Sequence, residues 1–426
     1  MEVSKMKHRF IEIIKNPYIF SIISEGISII SVFLFTVFQA RFLGAEIKGQ
    51  VATITSMLSI VSIVFGFGIS QTYPYFRKKD ERNMQFVFVR IAMIFLFLYM
   101  AGAVFITIFA DINIKYVAVM LITPLKIYDQ IISEVVLIEN PNKRNGVNNF
   151  VYIVELLFVL TLWFMAKASL VTGVVILVFE IALRCVIFTW WLRKAIFKTN
   201  VSIQLWFFKL IKFGLFPMMS VLMSSLNYRL DVLMLNDRVP DTAIGIYSVG
   251  VLLADRIWLV PDAMKGVMLS NITKGKSNSE VAYVMRICNT ICLILIIGII
   301  LIGEPFINFV FGEEYKGAYK ITLILILGVF PMIAYKIIAA FNIILGRQKV
   351  SFVLLSISVG VNIIANYIFI PIHGIYGAGL ASVISYGICS LMFIIDYCRF
   401  SKVPLKDVLL INATDIKSIK SSIMIK

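Results

Sequence analysis

Met84–Ala110 reads MQFVFVRIAMIFLFLYMAGAVFITIFA, a stretch in which Arg90 is the one charged residue. A helix rises 1.5 Å per residue, so about twenty such residues cross the roughly 30 Å hydrocarbon core of a bilayer. In that medium every backbone N–H and C=O must be bonded within the chain, which makes a long continuous apolar run a helix. A barrel strand would need only about ten residues and would alternate in polarity, and this stretch does neither.

Similar runs lie on both sides of it. Before and after come Tyr18–Ala40, Val51–Tyr75, Tyr116–Leu137, Val147–Ala166 and Ser169–Trp191. A second set follows at Phe213–Leu235, Ala243–Met264, Ala282–Ile302, Ile321–Leu345, Phe352–Ile370 and Tyr376–Tyr397. The reading is an all-α polytopic membrane protein of about twelve transmembrane helices. Its 426 residues are 60 % hydrophobic and only 15 % charged, well beyond the roughly half-apolar make-up of soluble domains. The basic start leads into a first run too long for a cleaved signal peptide, carrying Glu25 and continuing into further spans; it reads as an uncleaved first helix.

The formal charge of +16 is sorted between alternate loops. About 27 Lys and Arg fall before the first span, in the even-numbered loops and in the tail. The odd loops hold about seven: Arg41, Lys48, Lys115, Lys167, Arg238, Lys316 and Lys320. Positive residues stay on the cytoplasmic side, so both termini are expected there, and anionic membrane lipids, with no nucleic acid, are the partners this charge implies. Lys198–Lys212, with Trp206, Phe207 and Phe208, and the tail after Val403 are expected on the inner interface.

Several chemistries are excluded. There is no Gly-rich phosphate loop, and His8 and His373 are the only histidines, neither in mid-span, so no catalytic or metal-binding constellation is expected and no cofactor. The outer loops are short, the longest near residues 303–320, which leaves no room for an enzyme domain. Cys185, Cys288, Cys292, Cys389 and Cys398 lie in or beside spans without disulfide or metal spacing and read as packing residues.

The two halves repeat at a shift of about two hundred residues. Pro124-Leu-Lys-Ile-Tyr128-Asp129 in the fourth span is echoed by Pro331-Met-Ile-Ala-Tyr335-Lys336 in the tenth, a Pro-x-x-x-Tyr spacing followed by an ionisable residue of opposite sign. Leu43–Gly49 and Asn236–Gly245 are a weaker pair of glycine-containing turns. The expected organisation is a six-helix lobe over residues 1–197, an interfacial linker over 198–212, a second six-helix lobe over 213–400 and a cytoplasmic amphipathic tail over 401–426.

Charges recur where lipid should be: Glu25, Arg90, Lys126, Asp129, Glu134, Glu155, Glu180, Arg184, Arg229, Asp231, Asp255, Arg256 and Lys336 all fall within spans. A charge at mid-bilayer costs at least about 2.5–3.5 kcal/mol, so such residues face a bundle interior or water. Arg90, Arg229 and the one-turn pair Glu180 and Arg184 are equally read as local ion pairs or snorkelling ends. Lys126, Asp129, Asp255 and Lys336 lie near mid-span and read as cavity lining. At about 100° per residue, polar stripes run along the first span (Ser21 to Gln39), the fourth (Thr123 to Glu134), the seventh (Ser220, Ser224, Asn227, Asp231) and the eighth (Tyr247, Asp255, Trp258, Asp262), which predicts a shared hydrophilic cavity. Pro124, Pro217, Pro261 and Pro331 permit bends.

The order of these features resembles the polysaccharide flippases of the multidrug/oligosaccharidyl-lipid/polysaccharide exporter superfamily, which includes O-antigen and capsule repeat-unit translocases. The resemblance spans nearly the whole chain. Ala40-Arg-Phe-Leu-Gly44-Ala-Glu-Ile-Lys-Gly49, Asn227-Tyr-Arg-Leu-Asp231 and Ile244-Gly-Ile-Tyr-Ser-Val-Gly250 carry it, with Phe311-Gly-Glu-Glu-Tyr315, Leu345-Gly346-Arg347, Asn362 with Asn366, and Gly374-Ile-Tyr-Gly-Ala-Gly379.

What the resemblance implies is a V-shaped, pseudo-twofold pair of six-helix lobes in a bacterial inner membrane, non-enzymatic, alternately open to each face. It would move an undecaprenyl-diphosphate-linked oligosaccharide outward for O-antigen, lipopolysaccharide, capsule or exopolysaccharide biosynthesis, alongside polysaccharide assembly proteins. Fixed cations would offset the diphosphate, and carboxylates or amides would bond sugar hydroxyls. Lys126, Lys336 and Arg256 are then phosphate or acidic-sugar contacts, and Asp231, Asn227 and Tyr247 serve sugar binding or cavity structure. Glu25, Asp129 and Asp255 are the groups to take H+ or Na+, unless Asp129 pairs with Lys126 on the next turn. The rival readings are a cation-coupled drug or metabolite exporter of the same superfamily and a membrane-embedded glycosyltransferase or repeat-unit polymerase.

Overall fold

The computed structural model describes residues 17–79, 84–196, 203–273 and 279–409, and every regular element among them is helical. Contacts divide the chain into two compact units, Met1–Leu222 and Met223–Lys426.

The first unit holds α1 (Pro17–Phe65), α2 (Ile69–Lys79), α3 (Met84–Phe109), α4 (Ile114–Glu139), α5 (Pro141–Met165), α6 (Leu170–Ile196) and the first part of α7 (Ile203–Leu235). The second holds the end of α7, α8 (Asp241–Asp255), a 3-10 turn Arg256–Trp258, α9 (Leu259–Thr273), α10 (Ser279–Phe311) and a 3-10 turn Glu313–Tyr315. It continues with α11 (Ala318–Val329), α12 (Met332–Ile344), α13 (Gln348–Ser401) and the one-turn α14 (Lys406–Leu409).

Eight helical stretches among the described residues are long and apolar enough to cross a membrane. Two of them, in α1 and α13, are each two spans joined at a glycine: Gly44 at φ 70° and Gly374 at φ 54°. A side chain at positive φ is strained, so glycine reverses the chain there without a loop. The pair α11 and α12, bent by 44° across Phe330–Pro331, is a further span. The helix α4, whose apolar run is interrupted by Lys126, Asp129 and Glu134, completes the twelve-span layout. This is a multi-pass membrane protein.

Boundaries follow local chemistry. Asn113 and Asn140 cap α4 and α5, their side-chain oxygens accepting from the N–H of Lys115 and Lys143 at 3.0 Å, and Pro141 opens α5 where its missing N–H costs nothing. The core of the first unit is aromatic and aliphatic: Tyr73, Phe76, Phe88, Phe95, Tyr128 and Phe188 are buried in one cluster. Outward, Phe97, Leu98, Ile108 and Phe109 of α3 and Phe164 of α5 are exposed, as side chains against acyl chains are.

Two segments expected on the inner interface are described in part. Within the segment 198–212, read as an interfacial linker, residues 198–202 lie outside the described ones, and the rest is the continuous start of α7. Leu210 is buried, and Trp206 packs edge-on to Phe76 at 5.7 Å, while Phe208 is exposed. Of the tail, Val408 is buried and Asp407 accepts a bond at its carbonyl from Arg286, whereas residues 410–426 lie outside the described ones.

Candidate functional site

Polar side chains gather in each lobe around the repeated Pro-x-x-x-Tyr turn. In the first, Pro124 stays inside an unbroken α4, which sets Tyr128 and Asp129 against α6. Tyr128 shares a 2.7 Å hydrogen bond with Thr189, and Asp129 accepts from Arg184 Nε at 2.9 Å. The same guanidinium donates to Glu180 at 2.8 Å. Arg184 is thus a buried bridge between two carboxylates, so Glu180 and Arg184 do form the pair expected, and Asp129 joins it. Lys126 Nζ stands 3.9 Å from Asp129, a looser contact than that of Arg184.

Beside this bridge opens a cavity of about 430 Å³, wholly within the first lobe. Its wall includes Gln71, Lys126, Asp129, Gln130, Glu134, Arg144, Asn148, Tyr152 and Arg184. Gln130 donates to Ser62 at 3.1 Å, and Arg144 Nε donates to Ser133 at 3.1 Å. Asp129 is only 4 % exposed and held by Arg184, whereas the Lys126 side chain keeps 28 % of its surface open. Two cations, Lys126 and Arg144, and three amides therefore face this space with Glu134 as the acid not tied to Arg184. Arg144 falls between the runs read as the fourth and fifth spans, and the Asn140-Pro141 cap starts α5 early enough to put it in the first turn of that helix.

In the second lobe two spans are broken side by side. Pro331 lacks an N–H, Ile333 N bonds Phe330 O at 3.2 Å as in a 3-10 turn, and Val329 O is left without its helical donor. Trp258, in the 3-10 turn between α8 and α9, donates its indole N–H to Val329 O at 3.0 Å. One broken helix therefore caps the other. Lys336 lies 4.9 Å over the Trp258 ring and its Nζ bonds Asp262 at 2.8 Å, while Lys265 holds the other Asp262 oxygen at 2.8 Å. Tyr228 and Tyr386 stand 5.1 and 6.0 Å from the Trp258 ring. Asp255 and Arg256 are half-buried at the same turn. Asp262 has no role on the eighth-span stripe as read from the sequence; its partners are Lys265 and Lys336.

Asn227, Asp231 and Tyr247 are held in tight helix contact in the same lobe. Tyr247 donates to Asp231, Ser382 donates to Asp231 at 3.4 Å, and Ser358 and Ser385 each donate to Asn227 at 3.1 Å. Tyr247 is fully buried, and Asn227 and Asp231 are nearly so. The side chain of Glu25 lies outside the described residues. At the end of α4, beyond its apolar stretch, Arg77 and Tyr73 both donate to Glu139, and the Arg77 hydrogen bond foremost holds the Glu139 carboxyl below its ordinary range. Glu139 in turn keeps the Arg77 guanidinium more firmly protonated.

The family of polysaccharide biosynthesis proteins matches residues 15–257. The chain belongs to that family. Its fold is that of solved membrane proteins at low sequence identity. The lipid II flippase MurJ in an inward closed conformation superposes with a TM-score of 0.69 at 19 % identity, over 92 % of this chain and 89 % of that one. A multidrug resistance MATE family transporter of the MOP superfamily, inward-facing, gives 0.62 at 11 % identity, over 88 % and 95 %. The probable multidrug resistance protein NorM of Bacillus subtilis (strain 168) is 24 % identical over 166 residues, which span 34 % of this chain and only 37 % of that protein. Each of these is named as a flippase, a transporter or a resistance protein, and the likeness to the two solved structures shows the fold of this chain.

Proposed function

We propose that this protein is a flippase for an undecaprenyl-diphosphate-linked oligosaccharide repeat unit of O-antigen, capsule or exopolysaccharide type. It moves the unit from the cytoplasmic to the outer leaflet of a bacterial inner membrane by alternating access, driven by H+ or Na+, with both chain termini cytoplasmic as the Lys/Arg asymmetry requires. The observation that carries this reading is the first-lobe cavity. At about 430 Å³ it has the size of a small-molecule site, and its cations and amides suit a ligand that is anionic at one end and rich in hydroxyls at the other.

In this reading Lys126, with Arg144 beside it, takes phosphate oxygens, and Gln71, Gln130 and Asn148 take sugar hydroxyls. Lys336 and Arg256 serve anionic groups in the second lobe, at the paired helix breaks where transporter sites are commonly built. Asn227, Asp231 and Tyr247 serve structure, holding helices of that lobe together. Asp255, half-buried and without a hydrogen bond or ion pair among the described residues, is a candidate for the coupling ion, as is Glu25. Asp129 is the weaker choice, since Arg184 already neutralises it.

The NorM likeness favours one rival, a cation-coupled drug exporter. Lys126 and Arg144 count against it, because a cation entering this cavity would meet like charge. A strain lacking the chain is expected to accumulate lipid-linked repeat units on the cytoplasmic side and to lose surface polymer. Lys126→Ala with Lys336→Ala should restore membrane insertion but not the polymer. Normal surface glycan in the double mutant would remove the phosphate assignment, and unchanged glycan with raised drug sensitivity in the deletion strain would favour the exporter.

A further inference from the structure

A second cavity, of about 590 Å³, lies wholly within the second lobe, at the end where α7 turns into α8 and α13 reverses at Gly374. Its wall is Arg238 and Val239 from the turn, with Tyr367, Ile370, Pro371 and Gly374 from α13. The two segments meet closely: a Cβ placed on Gly374 would stand 3.7 Å from Val239 Cγ1. The turn is fixed by its backbone, since the N–H groups of Arg238 and Val239 both bond Leu235 O, at 3.0 and 3.2 Å. The Arg238 guanidinium lies 5.9 Å from the Tyr367 ring, near the limit of cation–π contact. Among the described residues neither side chain has an ion pair or a hydrogen bond, and Asp237, the neighbouring acid, accepts instead from Asn236 at 2.6 Å.

The face of α13 that carries Tyr367 indicates what covers the site. At about 100° per residue Val353, Ile357, Ile364, Tyr367 and Ile368 share one side of that helix, and all five are exposed. Ser358, Asn362 and Asn366 take the opposite side and are buried. An exposed apolar stripe whose polar residues are turned inward is a face for acyl chains. Arg238 stands at the end of that stripe, three residues beyond Leu235, where a membrane-crossing helix stops and hydrocarbon gives way to headgroups. An exposed guanidinium there, with no acid to pair with, lacks its counter-charge. A lipid phosphate supplies one: its oxygens fit the planar fork of Arg N–H donors, and the Tyr367 hydroxyl adds a further donor.

We propose that this cavity binds the phosphate of an anionic phospholipid through Arg238 and Tyr367, with Val239, Ile370 and Pro371 as the apolar floor and an acyl chain along the exposed stripe of α13. A net-negative headgroup is favoured over a zwitterionic one, whose ammonium Arg238 repels. The bound lipid ties the turn between α7 and α8 to the Gly374 reversal. On the topology proposed above it belongs to the outer leaflet; the site itself depends neither on that topology nor on the choice of cargo.

The test uses the full-length protein in phosphatidylcholine nanodiscs with two photoactivatable lipids that share one diazirine-bearing chain, a phosphatidylglycerol and a diacylglycerol. Mass spectrometry of the peptides should find residues 363–374 labelled about fivefold more by the phosphatidylglycerol, the preference one fixed cation at a membrane surface confers. The exposed face of α3 around Phe105 and Phe109 should take both lipids alike. Arg238→Gln should bring the ratio close to one and leave the labelling of α3, a sign of intact insertion, unchanged. Arg238→Lys keeps the charge and should keep most of the preference, and excess inorganic phosphate should not compete. Equal labelling of residues 363–374 by the two lipids in the wild type, or a preference that survives Arg238→Gln, would overturn the proposal. Suppression by inorganic phosphate would also overturn it, in favour of a site for free anions.

Discussion

The two lobes carry the same local sequence pattern and use it in opposite ways. Around Pro124 the helix is unbroken, and the acidic residue after the tyrosine is buried against a cation from the sixth span. Around Pro331 the helix breaks by 44°, and the basic residue after the tyrosine reaches an acid on the ninth helix. Proline removes one hydrogen bond in either case; what differs is that after Pro331 the Ile333 N–H also turns from Val329 O to Phe330 O, and Trp258 takes up Val329 O, which lets the break stand. A shared sequence motif thus sets where a helix can be modified, and the facing helix sets what becomes of it.

The largest effect should come from breaking the buried bridge of the first lobe. Arg184→Met strands Asp129 and Glu180 together and should lower stability by about 3–5 kcal/mol, read as thermal unfolding in detergent. A smaller loss would mean that Lys126 closes onto Asp129 as a substitute. Next is Trp258→Phe, which keeps the ring but leaves Val329 O without a donor, at a cost of about 1–3 kcal/mol. Were it silent, the indole bond would not be what holds the broken helices together.

Lys336→Met should cost about 1 kcal/mol or less, because Asp262 keeps Lys265 and is itself partly exposed. The contrast with Arg184→Met is the sharpest test of the difference between lobes; equal losses would abolish it.

The smallest effect is a matter of pH. The Glu139 carboxyl is held low by Arg77, so the pair stabilises the fold above the unfolded-state value and that contribution fades as pH falls through the lower, folded one. Acid titration of unfolding should show this limb in the wild type and not in Glu139→Gln. A limb of equal size in both would place the acid sensitivity elsewhere.

The spans were legible because hydrocarbon imposes one requirement on every residue: a long apolar run. The kinks were half legible, in that Gly44 falls in a stretch read as a turn and Gly374 between two runs read as spans, yet the chain reverses within a residue and not through a loop. The polar stripes were harder. In the first, second and fourth spans Thr36, Thr55 and Thr123 donate to their own helix one turn back, at 2.7 Å each, so a stripe of hydroxyls need not face water. The seventh-span stripe was satisfied from far along the chain, by Ser358, Ser382 and Ser385, a pairing no helical wheel contains. Lys126 and Asp129 line one cavity, but which of them stays open there depends on Arg184, 55 residues away from Asp129.

The most direct measurement is translocation in proteoliposomes that hold the purified chain and an undecaprenyl-diphosphate-linked oligosaccharide, scored by access of an added glycosidase to the glycan. Movement that Lys126→Ala abolishes, with insertion unchanged, is the predicted result. Vesicles that leave the glycan where it was placed, while exporting a cationic dye, would contradict it.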